Sequence, residues 1–165
     1  CVVDATLGKG FDAQLMLAAV GSTGRLYGFD LDPRAIEHTR ERLKDMPEAH
    51  VAKLYVMNHA EATTVIEGDI DAVVFNLGYL PAYSKTHITQ SDTTLTAMSA
   101  FLSRLAIGGC LIAVVYPGHP EGTLESVALN QFVSELDQKQ FHVFSIQYPN
   151  QINHPPYLIY IERRY

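Results

Sequence analysis

Cysteine is scarce in this chain. Only Cys1 and Cys110 occur, each in an apolar run, and no CxxC pair exists. A disulfide framework or zinc ribbon is therefore not indicated, no metal site is expected, and a reducing cytoplasm fits. Long apolar runs are missing too: none approaches the ~18–20 residues that a membrane span needs. No signal-peptide pattern is present. Positive charge is also in short supply. Lys and Arg number 12 against 18 Asp and Glu, for a formal net charge of −6. That excludes a basic nucleic-acid module of the usual kind, but not an enzyme that grips RNA through a local patch. There are no internal repeats, low-complexity tracts or domain linkers.

What is present is ordinary globular composition, 47% hydrophobic and 18% charged over 165 residues. Length and composition predict one domain over 1–165. The chain opens inside an apolar strand pattern without Met, so a short preceding N-terminal segment is expected.

Apolar runs alternate with helical patterns. Strands are expected at Cys1–Ala5, Arg25–Asp30, Lys53–Met57, Asp71–Leu77 and Cys110–Tyr116. Helices are expected near Asp12–Val20, from Asp32-Pro33 to about Leu43, from Ser91 through Leu105, and over roughly Leu124–Leu136. Asp32 reads as an N-cap with Pro at the first helical position. Gly108-Gly109 reads as the turn before the fifth strand. Phe141–Tyr148 and Tyr157–Glu162 leave no room for a helix between them and read as a closing hairpin. The sum is an α/β, Rossmann-like fold. A seven-stranded, mostly parallel sheet with one antiparallel strand carries helices on both faces.

The turn Asp4-Ala5-Thr6-Leu7-Gly8-Lys9-Gly10-Phe11-Asp12-Ala13 follows the first strand and opens the first helix. Ligands of such sheets bind at the carboxyl ends of the strands, where glycines allow close backbone approach. Gly8-x-Gly10-x-x-Ala13 alone would also suit a dinucleotide pyrophosphate. Asp4 argues against that, because a carboxylate in the crevice repels phosphate and attracts an ammonium. Asp30, ending the second strand, can accept ribose hydroxyls. Acid, glycine turn and acid suit S-adenosylmethionine (SAM), which has an ammonium, a sulfonium and a ribose but no phosphate. A plain strand–helix turn with surface acids is the competing reading, and a nicotinamide-dependent oxidoreductase a remote one. Asn58-His59 leaves the third strand, where an adenine or ribose rim would lie.

Asn76-Leu77-Gly78-Tyr79-Leu80-Pro81 leaves the fourth strand. An Asn amide oxygen and a following backbone carbonyl can accept N–H groups of a substrate and aim its nitrogen lone pair. The segment resembles the Asn-Pro-Pro-Tyr loop of amino-methylating enzymes, and Tyr79 could wall or stack on the acceptor.

Four blocks extend the resemblance over essentially the whole chain. They are Asp4-Ala5-Thr6 through Gly8-x-Gly10-x-Asp12; Asn76–Pro81 with Lys85, Thr89 and Thr93-Thr94-Leu95; Gly118-His119-Pro120 with Gly122 and Glu125; and Asn150-Gln151-x-Asn153-x-Pro155-Pro156. On these the chain resembles the small stand-alone bacterial methyltransferases once labelled rRNA methylases. Members methylate the 5-aminomethyl group of 2-thiouridine at the tRNA wobble position. The resemblance implies SAM as cofactor, held by Asp4, Gly8, Gly10, Asp12, Asp30, Asn58, His59 and Asn76. It implies Asn76, Tyr79 and His119 as catalytic candidates, and Gly78, Tyr79, Lys85 and His119 against the acceptor. The tRNA anticodon region is the implied partner; rRNA or a small molecule is the alternative acceptor. Lys9, Phe11, Ala82-Tyr83 and Ser84 stand where the family pattern has Asn, His, Gly-Gly and Asp. Those departures bear on cofactor contact and loop stiffness.

The remaining motifs read less sharply. His119 could meet the acceptor or take its proton, or it could simply hold the Gly/Pro loop. Glu125 is expected to pair with the Gly118–Gly122 loop. Asn150, Gln151 and Asn153 could cross-link loops or read a base edge, with the structural role slightly favoured. Lys9, Lys85, Arg163 and Arg164 are the candidate phosphate contacts, and RNA affinity should be modest and salt-dependent. Arg34, Arg40, Arg42 and Lys44 with Glu37, Glu41 and Asp45 read as a solvated, ion-paired helix face. Apolar Tyr157–Ile161 in the last hairpin could support a homodimer.

Overall fold

A computed structural model describes residues 1–78 and 91–165, with the backbone alone at 91 and 92. Its elements run β1 (Val2–Asp4), α1 (Phe11–Val20), β2 (Leu26–Asp30), α2 (Pro33–Leu43), β3 (Ala52–Val56), β4 (Ile70–Asn76), α3 (Ser91–Arg104), β5 (Leu105–Val115), α4 (Pro120–Ser134), β6 (Phe141–Ile146) and β7 (Tyr157–Arg163). The sheet order is β3-β2-β1-β4-β5-β7-β6. β1 to β5 pair in parallel, and β7 runs antiparallel to both β5 and β6. The expected fold is therefore present, with β7 as its reversed strand. The chain moves outward from β1 to β3, then returns to β4. The reversal puts a crevice at the carboxyl ends of β1 and β4.

Helices cover both faces. Leu7, Ala13, Leu17, Leu26, Ile36 and Leu43 form the smaller core under α1 and α2. Phe29, Phe75, Met98, Phe101, Leu111, Leu129 and Ile159 belong to the larger core under α3 and α4. β2 is buried on both sides, as a central parallel strand must be. α2 buries Ala35, Ile36, Thr39 and Leu43, a stripe at helical spacing, and turns its charges outward. Among the described residues no helix is long and apolar enough to cross a membrane.

Three expectations need correction. β5 starts at Leu105, directly after α3, rather than at Cys110. The glycine pair is not a terminator. The β4–β5 register shifts between Ile70 and Ala72, and a Cβ at Gly109 would lie 2.9 Å from the Ile70 oxygen. The glycines thus allow a bulged strand to stay in the sheet. α4 begins at Pro120 rather than Leu124, because His119 caps it and Pro fills the first position. Within the hairpin, the exposed apolar side chains are Val143, Phe144 and Ile146 of β6 rather than those of β7. β7 lies between β5 and β6, so Ile159 and Ile161 are core residues. Two short 3-10 turns, Ala49–Val51 and His59–Thr64, carry no periodic signal in the sequence.

Candidate functional site

The turn after β1 is stitched to strands on both sides. Ala5 N–H donates to Val74 O, and the Thr6 hydroxyl accepts the Asn76 N–H at 2.7 Å. Leu7 N–H donates to Phe29 O, and Gly8 N–H to Asp30 Oδ2 at 2.9 Å. Leu7 packs where β2 has no side chain, since a Cβ at Gly28 would come 2.6 Å from it. Gly10 has φ 74° and points its missing Cβ at Thr39, 2.7 Å from the hydroxyl. Close docking of α1 on α2 accounts for that glycine. Gly8, at φ 50°, has only the Thr6 oxygen near its Cβ position, at 4.0 Å, and leaves the crevice open.

Asp4 ends β1 fully buried. Its Oδ1 accepts the Thr6 N–H at 3.1 Å, while Oδ2 has no hydrogen-bond partner. Burial pushes its pKa up to about 7, and the negative charges of Asp12 and Asp30 push the same way; the Thr6 and Ala13 amides offset part of the rise. A cation brought against Oδ2 would favour the ionised form of this carboxyl. Asp30 gives one oxygen to Gly8 N–H and the other to Asp32 N–H. Each oxygen keeps a second lone pair for a hydroxyl. His59 lies on the same rim, with Nδ1 3.3 Å from Ala5 O and its ring edge-on to Phe75. Ala5 O can only accept, so the neutral ring carries its proton on Nδ1. Burial holds the His59 pKa down, and Nε2 stays a buried acceptor without a partner. Asn58 is partly committed: its Oδ1 accepts Ala60 N–H and caps the 3-10 turn.

Asn76 closes β4. Its Nδ2 donates to Asp12 Oδ2 on α1 at 3.2 Å. A carboxylate only accepts, so this bond fixes which end of the amide faces α1. Oδ1 is thereby turned to the Gly78 corner, 3.8 Å from where a Gly78 Cβ would stand. The Tyr116 ring backs the same corner at 3.5 Å. Asp12, expected against the cofactor, here bonds Asn76, and Thr6 and Tyr116 join the site without a role expected from the sequence. Only the Thr in Asp4-Ala5-Thr6 offered a signal, as a hydroxyl at a strand end.

His119 has a structural task. Its Nδ1 accepts the Gly122 N–H at 3.0 Å. The neutral ring then carries its proton on Nε2 and has no free acceptor nitrogen. Glu121 Oε2 lies 3.4 Å from the same Nδ1. The Gly122 bond matches the loop-holding reading, one of the two that the sequence offers for His119. Gly122 is equally constrained: a Cβ there would fall 2.1 Å from Tyr116 O. Glu125 accepts from the buried Thr94 hydroxyl of α3 at 3.0 Å, and it also interacts electrostatically with His119 of the Gly118–Gly122 loop. Burial raises its pKa against the pull of Thr94.

The cations divide differently from expectation. Arg163 donates to Ser103 O, Leu105 O and Tyr165 O, and Arg164 to Gln138 O. Both sit at the amino-terminal end of the parallel strands, opposite the crevice, because Glu162 pairs with Cys110 and Tyr157 with Val115. They are not phosphate contacts for this site. Arg34, Arg40 and Lys44 do form exposed ion pairs. Arg42 instead crosses to α1, donating to Lys9 O and Gln14 Oε1 and covering the Phe11 ring at 3.8 Å. Tyr79 and Lys85, with the other motif residues of 80–89, lie outside the described residues.

The sequence pattern of the family described as "Putative rRNA methylase" matches residues 26–162. A chloroplast tRNA (mnm(5)s(2)U34)-methyltransferase of Arabidopsis thaliana is 35% identical over 99% of this chain; the chain spans 63% of that relative's length. A solved structure from Clostridium thermocellum with the same description as the family superposes with TM-score 0.93 at 36% identity. It covers 98% of this chain and 87% of that one. A Streptococcus mutans protein solved in complex with SAH, 38% identical, superposes with TM-score 0.86 over 98% of this chain and 87% of its own.

Proposed function

The chain belongs to the rRNA methylase family, and from that premise we propose that it is a cytoplasmic SAM-dependent N-methyltransferase acting on the 5-aminomethyl group of 2-thiouridine at the tRNA wobble position. The observation that carries amine chemistry is the Asn76 amide, locked by Asp12 with its oxygen toward the Gly78 corner. The tRNA acceptor is supported by the chloroplast relative, which matches along 99% of this chain. The SAH bound to the Streptococcus mutans relative supports the cofactor.

The residues fit that cofactor. Asp4 Oδ2, buried and without a partner, suits an α-ammonium. Gly8 leaves room beside it, and Asp30 retains lone pairs for ribose hydroxyls. His59 Nε2 offers an acceptor on the rim. When bound, SAM supplies a methyl group already attached to a good leaving group, so positioning accounts for most of the rate.

Asn76 Oδ1 accepts one N–H of the neutral acceptor amine, and a backbone carbonyl at Leu77 or Gly78 accepts the other. Together they aim the nitrogen lone pair. Held this way, the lone pair would face the methyl group that bound SAM supplies, and with His119 engaged by Gly122 N–H the surplus proton of the amine would leave to water. Asp12 acts through Asn76 as a positioning residue.

The test is mass spectrometry of nucleosides after incubation with SAM and tRNA bearing unmethylated 5-aminomethyl-2-thiouridine. A gain of one methyl on that nucleoside is expected. Methylation of rRNA alone would move the acceptor to the alternative that the family description suggests. No methylation of either RNA, with SAM bound, would overturn the reading.

A further inference from the structure

The loop between β6 and β7 stands on the same edge of the sheet as the crevice. Its carbonyl at His154 lies 3.6 Å from the Cβ position of Gly118. Gly118 follows Tyr116, whose ring meets Gly78, which in turn adjoins Asn76 Oδ1. A continuous rim thus joins the loop to the proposed reacting centre.

The loop is also held in shape. Gln151 N–H donates to Tyr148 O, and His154 takes a left-handed φ of 46°. At its far root the Tyr157 hydroxyl bonds Ser126 Oγ and accepts from Asn130 on α4. A cross-linking role for its amides would show as side-chain bonds to neighbouring loops. None of the Asn150, Gln151 and Asn153 side chains makes one with the described residues, and all three are exposed. Beside them Tyr148 is 57% and Ile152 90% exposed. A loop that displays three exposed amides, an aromatic ring and an aliphatic side chain suits flat, polar-edged ligands.

Charge narrows the partner further. The chain is net −6, and Arg163 and Arg164 are tied to carbonyls at the opposite edge. The net negative charge and the commitment of those two arginines weaken phosphate attraction, which gives contacts to bases a larger share of RNA binding. Unpaired nucleobases offer both a face to stack and an edge to hydrogen-bond.

We propose that the Tyr148–Asn153 loop reads unpaired nucleobases of the RNA acceptor, Tyr148 by stacking and the Asn150, Gln151 and Asn153 amides on base edges. This rests on the reading of the chain as an RNA methyltransferase and adds the element that chooses the RNA.

The experiment measures binding of a fluorescent anticodon stem–loop RNA by anisotropy at several salt concentrations. It compares the unaltered protein, Tyr148→Ala, and the triple variant Asn150→Ala, Gln151→Ala, Asn153→Ala. Thermal melts and SAM titrations accompany each, and exposed positions should leave both unchanged. Each variant should lose about ten-fold or more in RNA affinity, with the slope against salt unchanged, because base contacts rather than phosphate contacts are removed. Unchanged affinity in both variants overturns the proposal while leaving the methyltransferase reading intact. Loss of self-association with RNA affinity unchanged overturns it too, and assigns the loop to a second copy of the chain. RNA binding that depends on the loop, without methyl transfer, upholds the proposal and overturns the assigned reaction. If the unaltered protein binds no RNA, both fall.

Discussion

The two ends of the sheet treat charge in opposite ways. At the amino ends of the strands, polar groups find backbone partners. Arg104 donates to Thr63 O, Ile66 O and Gly68 O, and Arg163 ties the start of β5 to the end of β7. At the carboxyl ends, Asp4 Oδ2 and His59 Nε2 are buried without partners. A buried polar group without a partner costs stability. One end therefore holds the fold together, and the other keeps its bonding capacity for a ligand.

Substitutions should separate the two ends. The largest effect is expected for Asn76→Ala. Single-turnover methyl transfer should fall by about 100- to 1000-fold, as when an oriented transition-state hydrogen-bonding group is removed. SAM affinity should change by no more than about three-fold. Equal losses in both would make Asn76 a cofactor residue only.

Asp4→Asn comes next, read by calorimetric SAM titration across pH. Burial raises the folded pKa of Asp4 to about 7, above the ordinary carboxyl value of 3.8. The folded protein without ligand thus holds the proton more tightly than the unfolded chain. Asp4's contribution to stability is complete below the unfolded value and is lost as pH rises through about 7. An ammonium ligand needs the ionised form. SAM affinity should therefore rise with pH, approaching ten-fold per unit below pH 7, and level off above it. Asp4→Asn should bind SAM weakly at every pH, lose that slope, and unfold at a higher temperature than the parent at pH 8. A retained slope would assign the proton to another group.

The smallest effect on activity belongs to Arg104→Ala. Losing its carbonyl bonds should lower stability by about 1–3 kcal/mol in chemical denaturation. Turnover at 25 °C should be unchanged. A turnover defect without a stability defect would erase the contrast between the ends.

Much of this architecture was legible in local pattern. β2 and α2 were readable because apolar spacing and an Asp-Pro cap are local signals. Asp4, Asp30 and Asn76 were readable because strand ends in such a sheet face one crevice. The start of β5 was not, since a glycine pair reads alike as a turn or as a bulge until a neighbouring strand fills the space. The choice between the two readings of His119, and the Thr94 partner of Glu125, were not legible for a related reason. A His before Pro and a Glu six residues later carry no mark of what they will accept from.

The sequence by itself determined the order of elements, the reversed last strand and the edge at which the acids and amides gather. All of these follow from periodicity and from the geometry of strand–helix units. Only the tertiary structure decided which way the Asn76 amide faces, since Asp12 stands 64 residues away in the chain. It also decided that Arg163 belongs to the far end and that the loop amides remain free. A side chain's hydrogen bonds depend on distant segments folding beside it, and no local pattern records those neighbours.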